Sequence, residues 1–149
     1  MSQLRRALLY IALGYMLAFV TVPLMAMFAE AQTYAVATLA AYHFDRSKEY
    51  REFNPGLGLE HRYSNEFSVS AGFFRNSFDR HTNYLFAAYT PVELGGWRTG
   101  VIAGGVTGYE EGASPWFSGV AMRDFGSVGV NLVFATSGIA LQIKLKVGH

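Results

Sequence analysis

The fold is decided by the last regular stretch of the chain, Ile139-Ala140-Leu141-Gln142-Ile143-Lys144-Leu145-Lys146-Val147. In an extended chain successive side chains point to opposite sides, so Ile139, Leu141, Ile143, Leu145 and Val147 share one face while Ala140, Gln142, Lys144 and Lys146 share the other. At the period of a helix the two sets would mix on every face. The segment therefore reads as a strand with one side in an apolar medium and the other in a wet one.

Moving back along the chain, the same period-two alternation predicts seven more strands, over 33–44, 57–63, 67–76, 83–90, 96–109, 115–123 and 128–135. Turn residues separate them: Asn54-Pro55-Gly56, Ser64-Asn65, Pro91, Gly95-Gly96, Gly112, Gly126 and Ser137-Gly138. Alternation alone is equally compatible with a soluble sandwich, or with a ligand-binding barrel whose apolar face points inward. Composition and the N-terminus favour the membrane. Of 149 residues 51% are hydrophobic and only 15% charged, against about 25% in an ordinary soluble domain. Arg5 and Arg6 precede an apolar run from Ala7 to Phe28, followed by Ala29-Glu30-Ala31, the layout of a secretory signal peptide over residues 1–31. The run is also long enough for a retained anchor, but Pro23 interrupts it and a small-x-small cleavage pattern follows. Taking Arg5, Arg6 and Glu30 from the 12 basic and 11 acidic residues leaves 10 of each over residues 32–149. The expected fold is all-β, an eight-stranded antiparallel transmembrane β-barrel at residues 32–149, placed in a bacterial outer membrane; an even strand number closes it without an exposed edge.

Several function classes drop out. A net charge of +1 provides no footprint for nucleic acid. Without cysteine there is no disulfide scaffold, thiol nucleophile or thiolate metal site. The four histidines show no ligand spacing, so neither a metal nor another cofactor is expected. Gly100, Gly104, Gly105 and Gly108 precede no helix and form no phosphate loop; they suggest curvature or a narrowed interior. Tyr34, Tyr42, Tyr63, Tyr84, Trp97, Tyr109, Trp116 and Phe117 fall near predicted strand ends, as an interfacial aromatic girdle would. The sequence sets no oligomeric state.

With both termini in the periplasm, the connectors at 45–54, 77–82 and 110–114 face outward, and the shorter ones at 64–66, 90–95 and 124–127 face inward. His43, ending the first strand, then shares the outer rim with Asn76 and Ser77, ending the third. A histidine beside a hydroxyl is the minimum for general-base activation in acyl transfer. The alternative is a rim pair that only ties a loop. His61 and His81 read as interfacial or loop residues, and His149 as a frayed terminus.

The order of landmarks resembles the outer-membrane lipid A palmitoyltransferase family, PagP, over most of residues 32–149. The residues that carry it are His43, Tyr50-Arg51-Glu52-Phe53-Asn54-Pro55-Gly56-Leu57-Gly58-Leu59, Phe74-Arg75-Asn76-Ser77-Phe78, Phe86-Ala87-Ala88-Tyr89, Gly104-Gly105-Val106-Thr107-Gly108, the proline-led sixth strand and Gly126-Ser127-Val128-Gly129. The resemblance implies transfer of an acyl chain from a phospholipid to lipid A, with membrane lipids as partners and a rim histidine, aspartate and serine as the site. His43 and Ser77 match, but Asn76 stands where the aspartate is expected. An amide can orient an imidazole but supplies no charge to an imidazolium. Reduced activity, an acid supplied by Asp79 or Asp45, or a barrel that has changed its task all remain open here.

Ala88 stands where the family has a glycine at the floor of its acyl slot, which implies a shorter acyl chain. Pro55 and Pro115 match prolines that interrupt strand pairing to let lipid in sideways; alternatively they merely begin strands. The family's helix before the first strand has no counterpart, because Gln32 leads almost directly into a strand. A non-catalytic barrel that shields the surface, or binds a partner through the 45–54 loop, is the alternative from another class, and a soluble periplasmic barrel for an apolar ligand is a third.

Overall fold

The computed structural model describes residues 31–110 and 112–148. The expected signal peptide, except for Ala31, and His149 lie outside the described residues. Eight strands follow in chain order: β1 (Gln32–His43), β2 (Phe53–Arg62), β3 (Phe67–Arg75), β4 (His81–Leu94), β5 (Trp97–Thr107), β6 (Ala113–Phe125), β7 (Val128–Ala135) and β8 (Gly138–Gly148). Each pairs antiparallel with the next, and β8 pairs back to β1 to close an eight-stranded barrel.

The predicted alternation sorts as expected for a membrane wall. In β8, Ile143, Leu145 and Val147 are exposed on the outside while Lys144 is buried in the lumen. Elsewhere on the wall Leu57, Leu59, Phe73, Leu85, Val101 and Phe117 are also exposed. An apolar band this extensive is costly in water and matched by hydrocarbon.

Strand bounds differ from expectation at two prolines that are turn signals in the sequence. β2 begins at Phe53 and includes Asn54, Pro55 and Gly56, while β4 runs through Pro91 to Leu94. Both prolines lie at register shifts. Pro91 falls in the irregularity between Tyr89 and Val92. Pro55 faces the break between Thr38 and Ala40 of β1. A missing N–H is tolerated at such a break because no ladder bond is formed there. β5 stops at Thr107, since Gly108 adopts a φ of 81°, a left-handed conformation that suits glycine.

The expected aromatic girdle is corrected in part by parity. Tyr42 and Phe117 do point outward, but Tyr34 and Tyr84 occupy lumen positions and are buried. Trp116 pairs with lumen-facing Gly104 and lines an internal cavity together with Tyr109.

The lumen is filled in layers. At the end bearing the short turns 95–96 and 126–127, five ionised side chains form a plug. Lys144 Nζ lies 2.9 Å from Glu60 Oε1 and 3.5 Å from Asp124 Oδ1. Arg62 bridges Asp124 at 2.8 Å and Glu60 at 3.5 Å, and Arg98 adds a contact to Asp124 at 3.1 Å. Asn131 donates to Glu60 Oε2 at 2.9 Å, and the Arg62 and Lys144 cations lie over the Tyr34 ring. Burying charges is costly unless each is paired, which this network achieves. Ala88, Ile102, Val120 and Met122 form an apolar layer in the middle, with Phe86 and Val133 packed against it. The wet inner face inferred from β8 is thus largely an ion network, and the barrel is closed at that end.

Candidate active site

Above the apolar layer a cavity of about 280 Å³ opens towards the long loops. Its walls include Phe74, Phe86, Val106 and Val133, and its mouth carries His43, Tyr50, Ser77, Tyr109 and Trp116. Gly104 lies against Phe86, where a Cβ would strike the ring and the Leu85 carbonyl, so this glycine does narrow the interior. Ala88 lies in the packed layer beneath Phe86 and does not line the cavity; Phe86 and Val133 form its base.

His43 reaches the mouth because of an irregularity in β1. Tyr34, Val36 and Thr38 face the lumen on even positions. Against β8, Thr38 pairs with Gln142 but Ala40 pairs with the adjacent Leu141, leaving Leu39 as an extra residue. Beyond this bulge the odd positions turn inward: Ala41 pairs with Ala140 and His43 with Gly138, and the imidazole is buried in the rim.

His43 Nε2 and Ser77 Oγ are 2.7 Å apart. Asn76, fully buried, holds the turn that carries Ser77 in place. Its Oδ1 accepts the backbone N–H groups of Phe78 and Arg80, each at 3.0 Å, and its Nδ2 donates to Thr82 Oγ1 and to the Gly108 carbonyl. The amide thus spends its hydrogen bonds on the turn and orients Ser77 rather than the histidine ring. The two acids considered as substitutes are engaged elsewhere. Asp79 pairs with Arg51, and Asp45 accepts from the backbone and hydroxyl of Ser47, hydrogen bonds that hold its carboxyl below the usual range. His43 Nδ1 is enclosed and has no hydrogen-bond partner among the described residues.

Tyr50 stacks on the imidazole with centroids 4.4 Å apart and planes 23° from parallel. Phe78 meets Tyr50 edge-on, and Tyr109 then Trp116 continue an aromatic collar around the mouth. Burial pushes the Tyr109 hydroxyl up to about 12. The wall beside this collar is notched. β6 pairs with β7 only from Gly119 to Phe125, so Ala113–Ser118, with Pro115 among them, project past β7 without a partner on that side.

His61 lies away from this site, bonded to Thr33 at the other end of β1, and His81 stacks on Phe73 outside the wall. No cluster of His, Asp or Glu capable of holding a metal occurs among the described residues. Sequence reasoning missed two groups. The ion plug was legible as Glu60, Arg62, Asp124 and Lys144 recurring on the wet parity. Tyr50, noted in the sequence only within the matching segment 50–59, carried no signal of its contact with His43, since it lies in a loop whose path only the fold defines.

The solution NMR structure of the de novo designed TMB2.3 matches with a TM-score of 0.52 at 15% identity, over 79% of this chain and 94% of that one. The fold is that of a transmembrane β-barrel. At this identity the likeness speaks to fold alone. No protein family and no curated protein matches the chain.

Proposed function

We propose that the protein is an outer-membrane enzyme, exported by a cleaved leader, that moves an acyl chain from a phospholipid to lipid A. The observation that carries this reading is the His43–Ser77 pair, 2.7 Å apart at the mouth of a closed-ended apolar cavity. An acyl chain in the cavity would bring its ester carbonyl to the rim. His43 Nε2 takes the Ser77 proton as Oγ bonds to that carbonyl carbon, and the ester C–O bond breaks as the proton passes to the departing lysophospholipid. A hydroxyl of lipid A, deprotonated by the same nitrogen, then attacks the acyl-serine carbonyl; the acyl C–Oγ bond breaks, the proton returns to Ser77 Oγ, and the acyl chain is left as an ester on lipid A. The unpaired stretch of β6 beside Trp116 supports sideways access of the chain from the membrane, and the β1–β2 irregularity at Pro55 is a second such break.

Lipid A extracted from cells expressing the protein and weighed by mass spectrometry should gain one acyl mass. The gain should vanish in His43→Ala and Ser77→Ala variants that still fold to a heat-modifiable barrel. No added mass, or an addition that survives His43→Ala, overturns the proposal. A second reading, a non-catalytic barrel, is favoured by one observation: no acid hydrogen-bonds the imidazole among the described residues, leaving Nδ1 unpartnered. The same measurement decides between the two.

A further inference from the structure

A histidine that takes a proton from Ser77 becomes an imidazolium, and its charge must be met by something. Here Nδ1 is sealed from solvent and has no hydrogen-bond partner among the described residues. In the 44–52 loop and the Ser77 turn, Asp45 is committed to Ser47, Glu52 to Arg46 and Asp79 to Arg51. Exposed Glu49 makes no hydrogen bond to the ring. What does meet the imidazole is the face of Tyr50, nearly parallel at 4.4 Å. The face of an aromatic ring carries the negative part of its quadrupole and attracts a cation.

The tyrosine is held for this contact. Phe78 packs edge-on against it with centroids 5.7 Å apart, and its own N–H donates to the Lys48 carbonyl at 3.0 Å. The next residue, Arg51, donates its N–H to the Ser77 carbonyl at 3.1 Å. The 44–52 loop and the Ser77 turn therefore form one unit, in which moving Tyr50 would also disturb the approach of His43 to Ser77.

We propose that Tyr50 is a positioning residue that receives on its ring face the charge His43 acquires from Ser77, a role that elsewhere falls to a carboxylate. The proposal deepens the acyl-transfer reading and rests on it for activity. A neutral imidazole stacks on Tyr50 with little gain, whereas an imidazolium is held more strongly. The contact thus favours the transition state over the ground state and acts on kcat rather than KM.

The test compares Tyr50→Leu, Tyr50→Phe and Tyr50→Trp in the full-length barrel refolded in micelles, assayed for acyl transfer from a phospholipid to lipid A. The leucine variant should lose about 3- to 30-fold in kcat, the range a cation–π contact implies, with KM within twofold. Phenylalanine and tryptophan should restore kcat to within about twofold of the parent. Leucine as active as tyrosine, phenylalanine as poor as leucine, or a loss confined to KM overturns the proposal. Should the parent protein transfer no acyl chain, the acyl-transfer reading fails by itself. Tyr50 is then judged by the rate at which a long-chain alkyl fluorophosphonate labels Ser77, a reaction that forms the Oγ–P bond, breaks P–F and passes the proton to His43. The same order of variants upholds the role of Tyr50, and equal labelling rates, including no labelling in any of them, refute it.

Discussion

Replacing Lys144 by methionine tests whether the ion plug holds the barrel shut. Its side chain is fully buried and meets Glu60 at 2.9 Å and Asp124 at 3.5 Å. Removing one partner of a buried pair costs about 3–5 kcal/mol, mostly because the other charge is left uncompensated. Glu60 keeps Arg62 at 3.5 Å and Asn131 at 2.9 Å, which places Lys144→Met near the lower end, about 3 kcal/mol. Glu60→Leu is worse. It leaves the three cations Arg62, Arg98 and Lys144 facing Asp124 alone, and about 5 kcal/mol is expected. Losses of this size compare with a total stability of about 5–15 kcal/mol. In the double variant both members of the Lys144–Glu60 pair are gone, so its cost should fall below the sum of the single costs by about 2–3 kcal/mol, the coupling expected of contacting residues. Urea titration of the barrel in vesicles, followed by tryptophan fluorescence and by heat-dependent gel migration, measures all three. Single losses below about 0.5 kcal/mol, or strictly additive costs, would refute the reasoning.

Other outcomes follow from the same structure. Asn76→Asp should not raise activity. It exchanges the Nδ2 donor facing the Gly108 carbonyl and Thr82 for an acceptor, and denaturant titration should register a loss of about 1–3 kcal/mol; a more active variant of equal stability would count against the turn-holding role. Leu85→Arg places a guanidinium on the outer wall where leucine is 59% exposed. In a bilayer it should cost about 2–4 kcal/mol of folding stability near the midplane, and a negligible cost in vesicles would argue for a soluble barrel. Tyr109 has its hydroxyl pushed up to about 12 by burial, so the folded state prefers the neutral phenol. Its contribution is complete below the unfolded value of about 10 and is lost as pH rises towards 12. The ultraviolet difference between the parent and Tyr109→Phe should titrate near 12, and a midpoint near 10 would contradict burial.

Much of the molecule was legible before folding because a wall one residue thick leaves little freedom. Each residue faces either lipid or lumen, and the medium on each side selects its chemistry. The alternation in β8, the number of strands and the shared rim of His43 and Ser77 all follow from that. The boundaries of β2 and β4 were not legible. Pro55 and Pro91 are ordinary turn signals, and only the ladder reveals that each sits where the register slips and no hydrogen bond is missed. The task of Asn76 was hidden for a related reason. Its partners at Phe78 and Arg80 are local, but Gly108 approaches from β5 and its neighbouring turn, 32 residues away.

The sequence by itself determined the element type, the even count and the apolar outer face, because period two is a local property of the chain. It also brought His43 and Ser77 to one end of the barrel. Which way His43 points was decided by the tertiary structure. Strict alternation from Tyr34, Val36 and Thr38 would send Tyr42 into the lumen and His43 into lipid. The extra residue at Leu39, accommodated between β2 and β8, reverses the parity and turns the imidazole onto Ser77. A bulge is a mismatch between strands, a property of their pairing that no single strand's pattern contains.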